Sequence, residues 1–139
     1  MMKNLLLLEE DQEGREALAK VLRKRGFTVR QARDEATALA ILAASPPMDM
    51  VLAGATERDR SEFLADVRER KPQVPVIFLS DYCGPEARLR GLAFGAFTMS
   101  RSLNFYINMR PVGLHELERL IRIVLGRRHA GRGMELIAA

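Results

Sequence analysis

"NLLLLEED", residues 4–11, is a run of four leucines that breaks abruptly into three acids. A strand with one wet face alternates apolar and polar side chains, so an unbroken apolar run from Asn4 to Leu8 reads as a strand covered on both faces. Strands of that kind belong to sheets sandwiched between helices. The stretch that follows, QEGREALAKVLRKRG, puts Ala17, Leu18, Val21 and Leu22 on one helical stripe and closes on Gly26, a C-terminal stop signal.

The alternation continues down the chain. "FTVRQA" reads as a second strand, and "DEATALAILAA" as a helix with Asp34 as its N-cap and Ala36, Leu39, Ala40 and Ala43 facing inward. Pro46 and Pro47 end it. "MDMVLAGATERD", residues 48–59, gives a short buried strand from Met50 to Ala53 that runs out at Gly54 into a polar loop. In "SEFLADVRERK" Phe63, Leu64 and Val67 face the sheet, with Ser61 as candidate cap. "VPVIFLS" is the fourth strand. "DYCGPEARLRGLAFGA" suits a helix with Pro85 in its first turn and Gly95 at its exit. A fifth strand falls in "TMSRSLNFYINM". "LHELERLIRIVLGRR" is the last helix, with Leu114, Leu117, Ile121 and Val124 on one stripe and Gly126 as terminator. Five strands alternating with five helices imply an α/β fold, a parallel sheet with helices on both faces.

A chain of 139 residues, 47% apolar and 29% charged, suits one globular domain with a real core. No apolar run reaches the length of a membrane span, and the N-terminal apolar stretch is too short for a secretory signal, so no membrane association and a cytoplasmic location are expected. The single cysteine, Cys83, cannot form an internal disulfide and reads as a loop thiol in a reducing compartment. The net charge of +4 is unevenly spread. Glu9, Glu10 and Asp11 crowd one end, while Arg119, Arg122, Arg127, Arg128 and Arg132 load the other. Without interleaved aromatics or zinc-ligand spacing, sequence-specific nucleic-acid binding by this chain itself is not expected, and any contact would be indirect.

In doubly covered parallel sheets, ligands sit beyond the carboxyl ends of the strands. The residues there are Glu9, Glu10 and Asp11 after strand one, Gly54 after strand three, and Ser80 and Asp81 after strand four. Carboxylates meeting a hydroxyl suit a hard cation such as magnesium with an oxyanion beside it, although acids at strand ends are also ordinary solvated loop residues.

Several pieces in the right order resemble the receiver domains of two-component response regulators, which have a flavodoxin-like fold. "LLLLEEDQEGREALAKVLRKRGFTV" is similar to the family's first strand, acidic pair and first helix, and "PPMDMVLAG" to its third strand. "VPVIFLS" resembles the fourth strand with its terminal hydroxyl, "ARLRGLAFGAF" the fourth helix and its exit, and "RPVGLHELERLI" the Lys-Pro dipeptide and fifth helix. The resemblance covers roughly residues 3 to 127, taken as a receiver-like domain, with 128–139 as a basic tail or linker.

The resemblance assigns roles, and the chain departs from several of them. Glu9 and Glu10 stand where paired aspartates hold magnesium, each one methylene longer. Ser80 keeps the phosphoryl-binding hydroxyl, and Arg110 stands where lysine is usual, its planar guanidinium a poor copy of an ammonium. Reading straight on from Gly95 would instead put Ser102 at the lysine position with Arg101 beside it. Gly54 falls on the phosphoacceptor and has no side chain to phosphorylate.

The resemblance therefore implies a pseudo-receiver. Two glutamates face one arginine, and Arg110 pairing with Glu9 or Glu10 would close the site without metal. No cofactor is expected, with Mg2+ only if Glu9 and Glu10 form a working pocket, and no enzymatic activity is expected. Two alternatives stand: phosphorylation of a displaced acid such as Asp59, or Asp81 after Ser80, and small-molecule sensing in the vacated crevice. Output would pass to a partner protein or a second copy, as a homodimer, through the face of the fourth helix, fifth strand and fifth helix. Phe97, Phe105, Tyr106 and Ile107 lie there, with Ile107 at the position usually given to the switch aromatic. The tail leads to an output domain in a transcriptional regulator, or ends a single-domain adaptor.

Overall fold

The computed structural model describes residues 2–54, 60–80, 97–99 and 104–130, with side chains described for 2–54, 60–79 and 114–126. The predicted helix over 81–96, Asp59, Asp81, Cys83, Arg101, Ser102 and the tail from 131 onward lie outside the described residues. The chain divides into two compact units, Met1–Val74 and Pro75–Ala139.

The first unit runs β1 (Asn4–Leu8), α1 (Gln12–Lys24), β2 (Thr28–Ala32), α2 (Glu35–Ala43), β3 (Met50–Gly54) and α3 (Ser61–Arg70). β1 lies between β2 and β3 and is parallel to both, with Leu6 opposite Arg30 on one side and Val51 on the other. Leu5 to Leu8 and Met50 to Ala53 are fully buried, as strands covered on both faces must be. β2 buries Val29 and Ala32 and exposes Thr28 and Arg30, so its alternation is the signature of a strand with one wet face.

Caps define the helix ends. Asp11 Oδ2 accepts from the Gly14 amide at 2.8 Å and opens α1, and Gly26 follows its end with φ 97°, a left-handed conformation that favours glycine. Asp11→Ala is expected to cost about 1 kcal/mol, read as a lower urea midpoint with an unchanged slope. Asp34 caps α2 through the Thr37 amide at 2.7 Å. Hydrogen bonding to Thr37, side chain first and backbone second, holds the Asp34 carboxyl below its ordinary value.

α1 keeps most of its expected stripe, and α2 turns another face inward than the sequence suggests. α1 buries Ala19 and Leu22, half-buries Leu18 and Val21, and exposes Ala17. α2 buries Ala38, Ile41 and Leu42 and exposes Ala36, Ala40 and Ala43, with Leu39 half-buried. Apolar residues on nearly every face of α2 make its stripe ambiguous, and the larger area of Ile41 and Leu42 then decides which side turns in. α3 follows the expected pattern with Phe63 and Val67 buried and Leu64 half-buried. Its N-cap is Arg60 rather than Ser61, which is the first helical residue.

The second unit holds β4 (Val76–Ser80), β5 (Phe97–Met99), β6 (Asn104–Asn108) and α4 (Met109–Ala130). β4 and β6 are parallel, with Val76 opposite Asn104 and Ser80 opposite Asn108. β5 runs antiparallel to β6, with Phe97 opposite Ile107 and Met99 opposite Phe105. The single fifth strand expected from the sequence is therefore two strands. The additional strand is β5, and β6 takes the parallel place beside β4. A three-residue strand of this kind presents few unpaired backbone groups.

α4 begins at Met109, so Arg110 and Pro111 stand in its first turn, where proline's missing amide costs nothing. Leu117, Leu120, Ile121, Val124 and Leu125 are buried, but Leu114 is 37% exposed and leaves the expected stripe. Gly126 does not end the helix, which continues to Ala130 and so crosses the expected domain boundary at 127. Part of the basic charge is paired along the helix, Arg119 with Glu116 at 3.2 Å and Arg122 with Glu118 at 3.0 Å. Among the described residues no helix is long and apolar enough to cross a membrane.

Candidate functional site

Parallel pairing of β1 and β3 sets Leu8 opposite Ala53, so the residues that follow, Glu9 and Gly54, arrive side by side. They come closer than two ordinary side chains could. A Cβ added to Gly54 would collide with Glu9 Oε1 and lie 2.9 Å from Glu9 Cδ. The Glu9 carboxylate therefore covers the point from which a side chain at position 54 would start. Gly54 is not left-handed, in contrast to Gly26, so it is the missing side chain and not unusual dihedrals that this position uses.

Glu9 is fixed at both ends. The Asp11 amide donates to its Oε2 at 3.0 Å, and Arg15 Nη1 donates to its backbone carbonyl at 2.9 Å while Arg15 Nε reaches Gln31 Oε1 at 3.2 Å. The carboxylate is thus held over Gly54 by its own loop.

Among the described residues, the cation that reaches the end of β3 is Arg60. Its guanidinium donates twice to the Gly54 carbonyl, from Nε at 3.1 Å and Nη2 at 2.9 Å. Nη1 donates to Glu35 Oε2 at 2.7 Å, and Nη2 lies 3.9 Å from Glu10 Oε1. Arg60 is only 8% exposed, whereas the Glu10 and Glu35 side chains are 42% and 38% exposed. A planar fork with five donors can serve a carbonyl on one edge and carboxylates on others, and a single ammonium could not hold that geometry. Standing at the N-cap of α3, Arg60 leaves that role without a side-chain hydrogen bond and turns to the strand end instead.

Of the residues the sequence singled out, the structure brings together Glu9, Glu10 and Gly54. Ser80 ends β4 and Arg110 opens α4, but their side chains lie outside the described residues, as do those of Phe105, Tyr106 and Ile107 on β6. On the backbone these last three pair with Ile77, Phe78 and Leu79 of β4. The arginine expected to neutralise the acids was Arg110; among the described residues the one that meets Glu10 is Arg60. Sequence reasoning missed Arg60 and Glu35. Each carried a signal: Glu35 follows the end of β2, and Arg60 lies six residues beyond Gly54, close enough to fold back on an acidic strand end.

Magnesium, which the receiver resemblance implies, does not fit these groups. It demands oxygen ligands in near-octahedral geometry at about 2.0–2.1 Å. Here the Gly54 carbonyl and the Glu35 carboxylate are already committed to guanidinium N–H groups, and Gly54 supplies no carboxylate. Among the described residues no three acidic, histidine or cysteine side chains are placed to hold a metal ion.

Fold and site together define an α/β domain with a polar, charge-paired centre at the carboxyl ends of its parallel strands. No protein-family model matches the chain. It is 32% identical over 98 residues to the photosynthetic apparatus regulatory protein RegA of Cereibacter sphaeroides, covering 68% of this chain and 52% of RegA. It is 29% identical over 101 residues to the nitrogen assimilation regulatory protein NtrX of Azorhizobium caulinodans, covering 70% of this chain and 22% of NtrX. Among solved structures, a CheY-like response regulator receiver domain protein from Methanospirillum hungatei matches with a TM-score of 0.73 at 18% identity, covering 95% of this chain and 100% of that one. The structural likeness shows the flavodoxin-like, CheY-like α/β fold. The chain spans about half the length of RegA and a smaller share of NtrX.

Proposed function

We propose that this chain is a receiver domain that is not phosphorylated and signals through protein contacts. One observation carries the reading. At the end of β3, where a receiver presents its acceptor carboxylate, the chain has Gly54, and the Glu9 carboxylate fills the space a side chain would need. An acyl phosphate needs a carboxylate oxygen as nucleophile, and a glycine offers none. Arg60 adds to this by tying down the Gly54 carbonyl.

Without a phosphoryl switch, output depends on surfaces. RegA and NtrX are named as regulatory proteins, and by analogy this domain acts in signalling or transcriptional regulation, on a partner protein, a second copy or an attached output domain. The face expected to carry that contact now includes β6 and α4, with β5 laid against β6.

The test is direct. Incubation with acetyl phosphate and Mg2+, followed by intact mass measurement, is expected to leave the mass unchanged. A phosphoryl adduct overturns the reading, and its loss in Asp59→Asn would make Asp59 the acceptor.

A further inference from the structure

We infer that Arg60 is a tethered cation that takes the place of a divalent ion at the strand ends, so that the pocket is complete without metal. The inference deepens the reading above and rests on it only in taking the domain to work without phosphoryl transfer.

The placement of charge carries it. Three oxygen-bearing groups from three separate parts of the first unit converge on one guanidinium: the Gly54 carbonyl from β3, Glu35 from the start of α2, and Glu10 from the turn after β1. The positive group is buried and its acidic partners are half-exposed, which is the layout of an ion inside a ring of ligands. Removal of Arg60 would leave the Glu10 and Glu35 carboxylates and the Gly54 carbonyl without the positive group on which they converge. Such a set of hard oxygens attracts Mg2+ or Mn2+.

An arginine serves this pocket differently from a free ion. It is always charged, it needs no supply from solution, and it avoids the reluctant dehydration of magnesium. Arg60 also joins the ends of β1 and β3 to the start of α2 at a fixed spacing. The three segments are therefore held in one arrangement whatever the metal concentration.

The test compares the unmodified chain with Arg60→Gln in a Mg2+ titration followed by NMR, with thermal midpoints taken alongside. The unmodified chain is expected to show no saturable change below about 1 mM, the weak end of biological divalent sites, and a midpoint independent of Mg2+. Arg60→Gln is expected to gain saturable shifts at Glu10 and Gly54 and a midpoint that rises with Mg2+. A folded Arg60→Gln that responds no more than the unmodified chain overturns the inference.

Should that variant fail to fold, the Arg60 Nε–H resonance of the unmodified chain decides. A signal protected from exchange and unmoved by Mg2+ supports the tethered cation; one that shifts saturably with Mg2+ overturns it. Failure of the two readings is distinguishable. Saturable Mg2+ binding to the unmodified chain without a phosphoryl adduct removes the role given to Arg60 alone, whereas an adduct removes the non-phosphorylated reading.

Discussion

Arg60→Ala is expected to lower the unfolding free energy by about 2–4 kcal/mol, as measured by urea denaturation. Two charge-assisted hydrogen bonds to the Gly54 carbonyl disappear, and that carbonyl sits on a buried residue. A buried acceptor left without a partner costs about 1–3 kcal/mol by itself. The 2.7 Å pairing with Glu35 is lost as well, while the 3.9 Å approach to Glu10 contributes little. Because Glu10 and Glu35 are partly exposed, water can re-solvate them, which keeps the loss toward the low end of the range for breaking a fully buried pair.

A double-mutant cycle separates these contributions. Glu35→Ala alone leaves Arg60 its two bonds to Gly54 and is expected to cost less than Arg60→Ala. The coupling between the two substitutions is expected near 1–2 kcal/mol, as for residues in one hydrogen-bonded network. Coupling indistinguishable from zero would reduce the Arg60–Glu35 contact to an incidental surface pair.

The parts of this architecture that could be read from the sequence are those where one physical reading excludes the rest. Four consecutive leucines followed by three acids admit a covered strand and a wet loop, and β1 ends at Leu8 as that reading requires. Gly26 and Asp34 announce their roles through backbone geometry and local hydrogen bonding, and both act as expected. The inward face of α2 was misread because alanines and larger apolar residues together surround that helix. β5 was not legible at all, since three residues have no strand signature of their own and exist as a strand through pairing with β6. At the site, Glu9 and Gly54 could be found because each follows directly on an apolar run, and Glu10 because it follows Glu9. Arg60 could not be found in the same way. It lies beyond a polar stretch in which charged side chains are ordinarily solvated, and its importance comes from folding back across six residues to a carbonyl that carries no side-chain signal. Glu35 was hidden by its neighbour, because Asp34 already explained that segment as a cap.

Restoring an acid with Gly54→Asp is expected to lower stability by about 1–3 kcal/mol without restoring phosphorylation. The new Cβ meets the Glu9 carboxylate, which must swing aside and give up its hydrogen bond from the Asp11 amide. That carboxylate is the far end of a side chain, so Gly54→Ala, which requires the same movement, is expected to cost only about 1 kcal/mol. The difference between the two variants isolates the charge. A second carboxylate close to Glu9 is disfavoured by like-charge repulsion, and a described cation able to offset it is Arg60, already bonded to the carbonyl of the same residue. An acid paired with a guanidinium is masked as a nucleophile and draws no metal into the pocket. Gly54→Asp alone should therefore show no adduct with acetyl phosphate in intact mass measurement. Combining it with Arg60→Gln, which frees the carboxylate and removes the resident charge, is where divalent binding should be tightest. A single Gly54→Asp variant that keeps full stability and accepts a phosphoryl group would show that neither Glu9 nor Arg60 bars the chemistry, leaving the missing aspartate as the one change separating this domain from a working switch.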